Sequence, residues 1–194
     1  MFKKASAFAI VIILSIILSA CGQNEIENAK NWPVKDFTYT DQDGKSFGLS
    51  DLKGKVWVSD FVFTSCADVC LPMTANMAKL QKMLKDEGIK DVELVSFSVD
   101  PTVDTPDRLK LFADNFDVDY SSWHFLTGYT QEEIEQKALK DFKAVVKKPE
   151  NEDQVIHGID FYLMDQKGNI VKYYDGLEEI PYKEIIKDIK TLQK

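Results

Sequence analysis

The sequence predicts an α/β layered fold: a central mixed sheet flanked by helices, with an N-terminal hairpin extension. Three observations carry that expectation. Apolar runs of strand length alternate with segments of helical periodicity through the middle of the chain. Two later apolar runs are joined by a tight turn, which adds antiparallel strands. No repeat, low-complexity block or internal linker interrupts residues 34–194, which read as one domain.

Ahead of that domain, Phe2-Lys3-Lys4 is a short basic region, and Ala5 to Ala20 is an apolar run broken only by serines. The run is shorter than the roughly 18 or more residues expected of a membrane span, and residues 1–20 read as a secretory signal. It ends in Leu18-Ser19-Ala20-Cys21-Gly22, which resembles the lipobox of a bacterial lipoprotein. In such proteins the cysteine becomes the lipidated first residue after cleavage. Cys21 is therefore expected to be the lipid anchor, residues 21–33 a polar tether, and the domain to sit on the extracytoplasmic face of the cell membrane. Of three cysteines, Cys66 and Cys70 remain for chemistry. The formal net charge of −8 becomes −10 once residues 1–20, with Lys3 and Lys4, are removed. An acidic surface argues against nucleic acid as a partner; a monomer is expected.

Within the domain, Phe37-Thr38-Tyr39 and Lys45-Ser46-Phe47 flank Asp41-Gln42-Asp43-Gly44, a hairpin signal. Val56 to Phe63 is a mostly apolar strand of the buried kind. A helix follows to about Glu87, because Met73, Met77, Leu80 and Leu84 recur at helical spacing and Gly88 is a natural stop. Asp91 to Val99 is the next strand. Thr105-Pro106-Asp107 opens a helix with a threonine cap and a proline at its first position. Trp123 to Leu126 is a third buried strand, and Thr130-Gln131-Glu132-Glu133 is a capping box. Lys147 to Gln154 reads as polar loop. Phe161 to Met164 and Ile170 to Tyr174 flank the turn Asp165 to Gly168, and a helix from about Tyr182 closes the chain.

Chemistry concentrates in Cys66-Ala67-Asp68-Val69-Cys70, between the first buried strand and its helix. A helix N-terminus stabilises negative charge and lowers thiol pKa, and the thiolate is the form that binds metals and attacks disulfides. Residues one helical turn apart sit side by side, with Cβ atoms roughly 5–6 Å apart. Such a pair can grip one soft metal ion or close into a disulfide.

Order and spacing resemble a thioredoxin-like fold, with three residues between the cysteines where that fold usually has two. Thioredoxins place a cis-proline before the strand facing the pair; here Val155-Ile156-His157-Gly158 offers a histidine instead. His157 is the candidate third ligand, since imidazole suits copper and zinc and paired thiolates favour soft ions such as Cu(I). Cu(II) is accepted if an oxygen completes the site. Asp68 is a weaker candidate for that oxygen, because its spacing points it away from both sulfurs. His124, between Trp123 and Phe125, reads as structural, and Met73 and Met77 read as core.

Four ordered motifs together resemble the Sco/SenC family: Phe63 to Cys70, Ser98-Val99-Asp100-Pro101 with Asp104-Thr105-Pro106, Trp123 through Leu126-Thr127-Gly128, and His157 through Tyr162-Leu163-Met164-Asp165. The resemblance spans Val34 to the C-terminus. It implies a tethered thioredoxin-like domain that binds copper, Cu(I) or Cu(II), one per chain. It further implies help in assembling the copper A centre of cytochrome c oxidase, the oxidase subunit carrying that centre being the partner. The family's ligands fall on Cys66, Cys70 and His157. The chain departs from the usual motif at Ala67 and Leu71, where the family commonly has proline; the ligands are intact, while redox potential and exchange rate are open to change.

A second reading uses the same sulfurs as a thiol–disulfide oxidoreductase that keeps the oxidase's copper-site cysteines reduced, with a Cys66–Cys70 disulfide as the oxidised form. A peroxidase is the weakest reading. The hairpin and the Leu52 to Val56 lead-in resemble peroxiredoxins, but the chain's only arginine, Arg108, lies on a different helix from the pair.

Overall fold

A computed structural model of the protein describes residues 26–194. The expected signal segment 1–20 and the expected lipidation site Cys21 lie outside the described residues. Among the described residues eight strands run in chain order: β1 (Trp32–Pro33), β2 (Thr38–Thr40), β3 (Ser46–Gly48), β4 (Val56–Val62), β5 (Val92–Ser98), β6 (Trp123–Leu126), β7 (Asp160–Met164) and β8 (Asn169–Asp175). Four α-helices of the described residues accompany them: α1 (Cys70–Asp86), α2 (Pro106–Ala113), α3 (Gln131–Lys137) and α4 (Tyr182–Leu192).

The main sheet has the order β1-β8-β7-β4-β5-β6. Strands β4, β5 and β6 are parallel, and β7, β8 and β1 add antiparallel edges. This is the mixed, helix-flanked, thioredoxin-like arrangement that the alternation of periods predicts. Every residue of β4 and β5 is buried, so these two strands form the floor from which the cysteine segment leaves. Trp57, Phe61, Phe97, Trp123 and Phe125 fill the core around them.

Local chemistry sets the element ends. Thr105 Oγ1 accepts the Arg108 amide at the start of α2, with Pro106 at the first helical position. Thr130 and Glu133 exchange hydrogen bonds at the start of α3 as a complete capping box. Gly88 stops α1 with φ of +67°, a conformation open to glycine at little cost, as Ile89 N–H bonds back to the Leu84 carbonyl. In the β2–β3 turn, Asp41 Oδ1 accepts the amides of Asp43 and Lys45.

Two boundaries differ from the sequence reading. Residues 26–33 belong to the fold: Ile26 is buried, Trp32 and Pro33 pair with β8, and the Lys30 amide bonds to the Val171 carbonyl. Their polar composition hides this, because edge pairing uses backbone groups rather than side chains. The Lys147–Gln154 loop, for its part, is closed at its base by an isolated bridge between Lys147 and Ile156. That bridge brings the residue before His157 back towards the sheet.

Candidate metal centre

The cysteine segment is a short connection under tight control. Beyond β4, Phe63 remains buried, and Thr64 turns the chain by donating both its amide (3.2 Å) and its hydroxyl (2.6 Å) to the Asp104 carboxylate. Asp104 also accepts from Ser98 Oγ at 2.6 Å, which ties the segment to the end of β5. Burial pushes the Asp104 carboxyl upward, against the pull of the Ser98 and Thr64 donors.

The two cysteines do not share a helical turn, as their spacing suggested. Helix α1 begins at Cys70, and Cys66 sits in the irregular turn before it. The Cys70 amide donates to Cys66 Sγ at 3.3 Å, so a sulfur takes one of the unpaired N–H groups of the helix start. No side chain of Val69, the residue before the helix, makes that cap. Cys70 is fully buried, while Cys66 is partly exposed. Both are free thiols here; the disulfide expected for an oxidised form is not made in this structure.

His157 arrives from the loop before β7. Its Nε2 lies 3.4 Å from Cys70 Sγ, and its Nδ1 donates to the Gly158 carbonyl at 2.8 Å. A carbonyl only accepts, so Nδ1 carries the proton and Nε2 presents its lone pair to the sulfurs. Phe63 meets the imidazole edge-on, with ring centroids 5.7 Å apart.

The ligand atoms of Cys66, Cys70 and His157 all lie within 4.8 Å of one another. A metal with bonds of about 2.0–2.3 Å to nitrogen and sulfur holds its ligand atoms no more than about 4.6 Å apart. The donor set therefore fits a soft ion of copper type, needing only small closure. The two thiols are electrostatically unlike. A hydrogen bond from the Cys70 thiol and those from the amides of Asp68 and Cys70 hold Cys66 far below the ordinary thiol range, against the upward push of its partial burial. Cys70 is pushed the other way by its role as donor to Cys66 and by burial. The outer sulfur is therefore the one favoured as thiolate and the inner one as thiol.

Other candidates fall where their local patterns put them. Asp68 is exposed and outside the three-residue cluster. His124 stacks on Phe47 at 3.9 Å and faces Glu93, and Met73 and Met77 are fully buried. Arg108 reaches closer to the pair than its helix suggested, with Nη2 3.5 Å from the Ser65 hydroxyl. The sequence reading missed Asp60, an acid in the middle of β4 with no exposed surface. Its Oδ1 accepts from Ser96 Oγ at 2.6 Å, while Oδ2 has no hydrogen-bond partner among the described residues. Burial pushes its carboxyl up to about 6, with Ser96 and then His157 pulling the other way. A charged residue inside an apolar strand was the available signal.

Comparison with known proteins agrees with this geometry. The family model described as SCO1/SenC matches residues 27–194. A solved SCO1/SenC family lipoprotein from Bacillus anthracis str. Ames is 52% identical, with a TM-score of 0.85, covering 88% of this chain and 100% of that one. BsSco, a member of the Sco family of cytochrome c oxidase assembly proteins in which a disulfide switch was identified, is 52% identical with a TM-score of 0.80, covering 87% and 97%. The copper-bound structure of Bradyrhizobium japonicum ScoI is 29% identical with a TM-score of 0.66, covering 82% and 99%.

Proposed function

The chain belongs to the SCO1/SenC family, and from that premise we propose that it is a copper-binding assembly factor for the copper A centre of cytochrome c oxidase. It holds one copper ion per chain through Cys66, Cys70 and His157 as cargo for an oxidase subunit. The observation that carries this reading is the convergence of two sulfurs and one imidazole nitrogen within 4.8 Å, on a domain similar to a copper-bound Sco protein. Two thiolates and an imidazole suit Cu(I) in three-coordinate form, and an added oxygen ligand suits Cu(II). The oxidase partner is supported by the similarity to BsSco, and anchoring of Cys21 by the similarity to a family lipoprotein. The domain then works as a monomer tethered by lipid to the extracytoplasmic face of the membrane.

The unlike thiols favour a second reading, thiol–disulfide exchange with the oxidase's copper-site cysteines. Cys66, partly exposed and with its pKa lowered, attacks a partner disulfide as the thiolate; the buried Cys70 then attacks the Cys66 sulfur and displaces the partner's second thiol. The partner gains two electrons and the Cys70 proton as Cys66 and Cys70 close into a disulfide, and its second sulfur is protonated from water according to its own pKa.

One experiment separates the two. Protein reduced and loaded with Cu(I) under anaerobic conditions is mixed with the soluble copper A domain of an oxidase. The assembly-factor reading expects copper to be found on that domain, by metal analysis after the two proteins are separated, when that domain is reduced. Copper that stays on the donor, together with reduction of the domain's disulfide by metal-free protein, decides for exchange chemistry.

A further inference from the structure

The loop that delivers His157 is held to the cysteine segment by a side chain with no assigned role. Gln154, three residues before His157, is exposed, yet both ends of its amide are engaged. Its Oε1 accepts the Ala67 amide at 3.2 Å, and its Nε2 donates to the Ser65 carbonyl at 3.0 Å. These backbone groups lie on either side of Cys66. They are the same pair that a neighbouring parallel strand would use to pair across Cys66, so one carboxamide stands in for a strand.

The rest of the excursion is tied elsewhere. Lys147 and Ile156 close its base with two backbone bonds of 2.9 Å. Lys147 Nζ and the Lys148 amide both bond to Glu135 on α3, and Lys148 Nζ reaches Asp100 at 2.7 Å. Val155 is buried beneath the limb. These contacts fix the base against α3 and the β5 end. The Gln154 amide instead joins the descending limb, and with it His157, to the segment that carries Cys66.

We propose that Gln154 is a positioning residue, a two-point clasp that couples the histidine loop to the cysteine segment and sets how readily the three-ligand site opens. The proposal rests on the copper reading for its consequence but not for its geometry. Two solvent-accessible hydrogen bonds are strong enough to hold the loops in register and weak enough to break when a metal leaves. No change in the ligand set is involved.

The test compares wild type with Gln154→Ala and Gln154→Glu in the full chain. Loss of the clasp loosens both loops, so amide hydrogen exchange in metal-free reduced Gln154→Ala should rise in residues 64–69 and in 150–157 together. After loading with Cu(I), release to an excess of chelator should be about tenfold faster, the effect of one or two lost hydrogen bonds. The Cu(II) absorption spectrum should keep its band positions, because all three ligands remain. Gln154→Glu keeps the acceptor for Ala67 and loses the donor to Ser65, so its release rate should fall between. Unchanged exchange in 64–69 together with unchanged release overturns the clasp. So does a fall in melting temperature without faster release, which would reduce Gln154 to a contributor to stability. Wild type that takes up no copper sinks the copper reading alone, and the exchange measurement still decides the clasp.

Discussion

Cys70 Sγ and His157 Nε2 lie 3.4 Å apart, although 87 residues separate them in the chain. The contact exists because β4 and β7 are antiparallel neighbours, so the exit from one lies beside the entrance to the other. Cys70 follows β4 at the start of α1, and His157 precedes β7. A metal ion bound at this junction bridges the two strands' ends.

Asp60 makes stability depend on pH in a direction unusual for a carboxylate. Its folded-state pKa is raised to about 6, so the folded protein holds the proton more tightly than the unfolded chain. The stability from this group is complete below the ordinary carboxylate range and is lost as pH rises through about 6. Asp60→Asn keeps an acceptor for Ser96 and removes the buried charge. It should raise stability at pH 8 by up to about 3 kcal/mol and flatten the profile between pH 4 and 7, as read by urea unfolding of the metal-free protein.

Asp104 holds the start of the cysteine segment through Thr64 and Ser98. Asp104→Ala leaves those donors buried without an acceptor and should cost about 2–4 kcal/mol. Asp104→Asn retains acceptors for Thr64 and should cost less than half as much. Equal losses in the two variants, measured by chemical denaturation, would contradict this account of the network.

The fold's N-terminal boundary has a measurable consequence. A domain beginning at residue 26 keeps Ile26 buried and β1 paired with β8; one beginning at residue 34 loses both. The shorter domain should be less stable by about 2–3 kcal/mol, the burial of one large aliphatic side chain plus edge pairing. Identical melting curves would return residues 26–33 to the tether.

Much of this architecture was legible because local patterns and tertiary structure agree. The buried β4 and β5, the threonine caps of α2 and α3 and the Gly88 stop each follow from residues within a few positions. The three-residue cluster was legible too, since residue chemistry at two places in a predictable topology singled out Cys66, Cys70 and His157. The position of Cys66 was not: whether four residues after a strand are helical depends on Thr64 being tied to Asp104, 40 residues away. Gln154 was equally silent, because an exposed polar residue in a polar loop carries no sign of the backbone groups it meets. Residues 26–33 were hidden for a related reason, as their attachment runs through main-chain bonds to β8.

The central claim is a copper site made by Cys66, Cys70 and His157, and copper titration of the reduced soluble domain, followed by absorption and EPR, tests it most directly. Wild type should bind one Cu(II) per chain with thiolate charge-transfer bands, which Cys66→Ala and Cys70→Ala each abolish. His157→Ala should alter the bands and weaken binding by at least about 100-fold, since even partners outside the ligand set contribute 10–100-fold. No stoichiometric uptake by wild type, or equal affinity and unchanged bands in His157→Ala, would contradict the account.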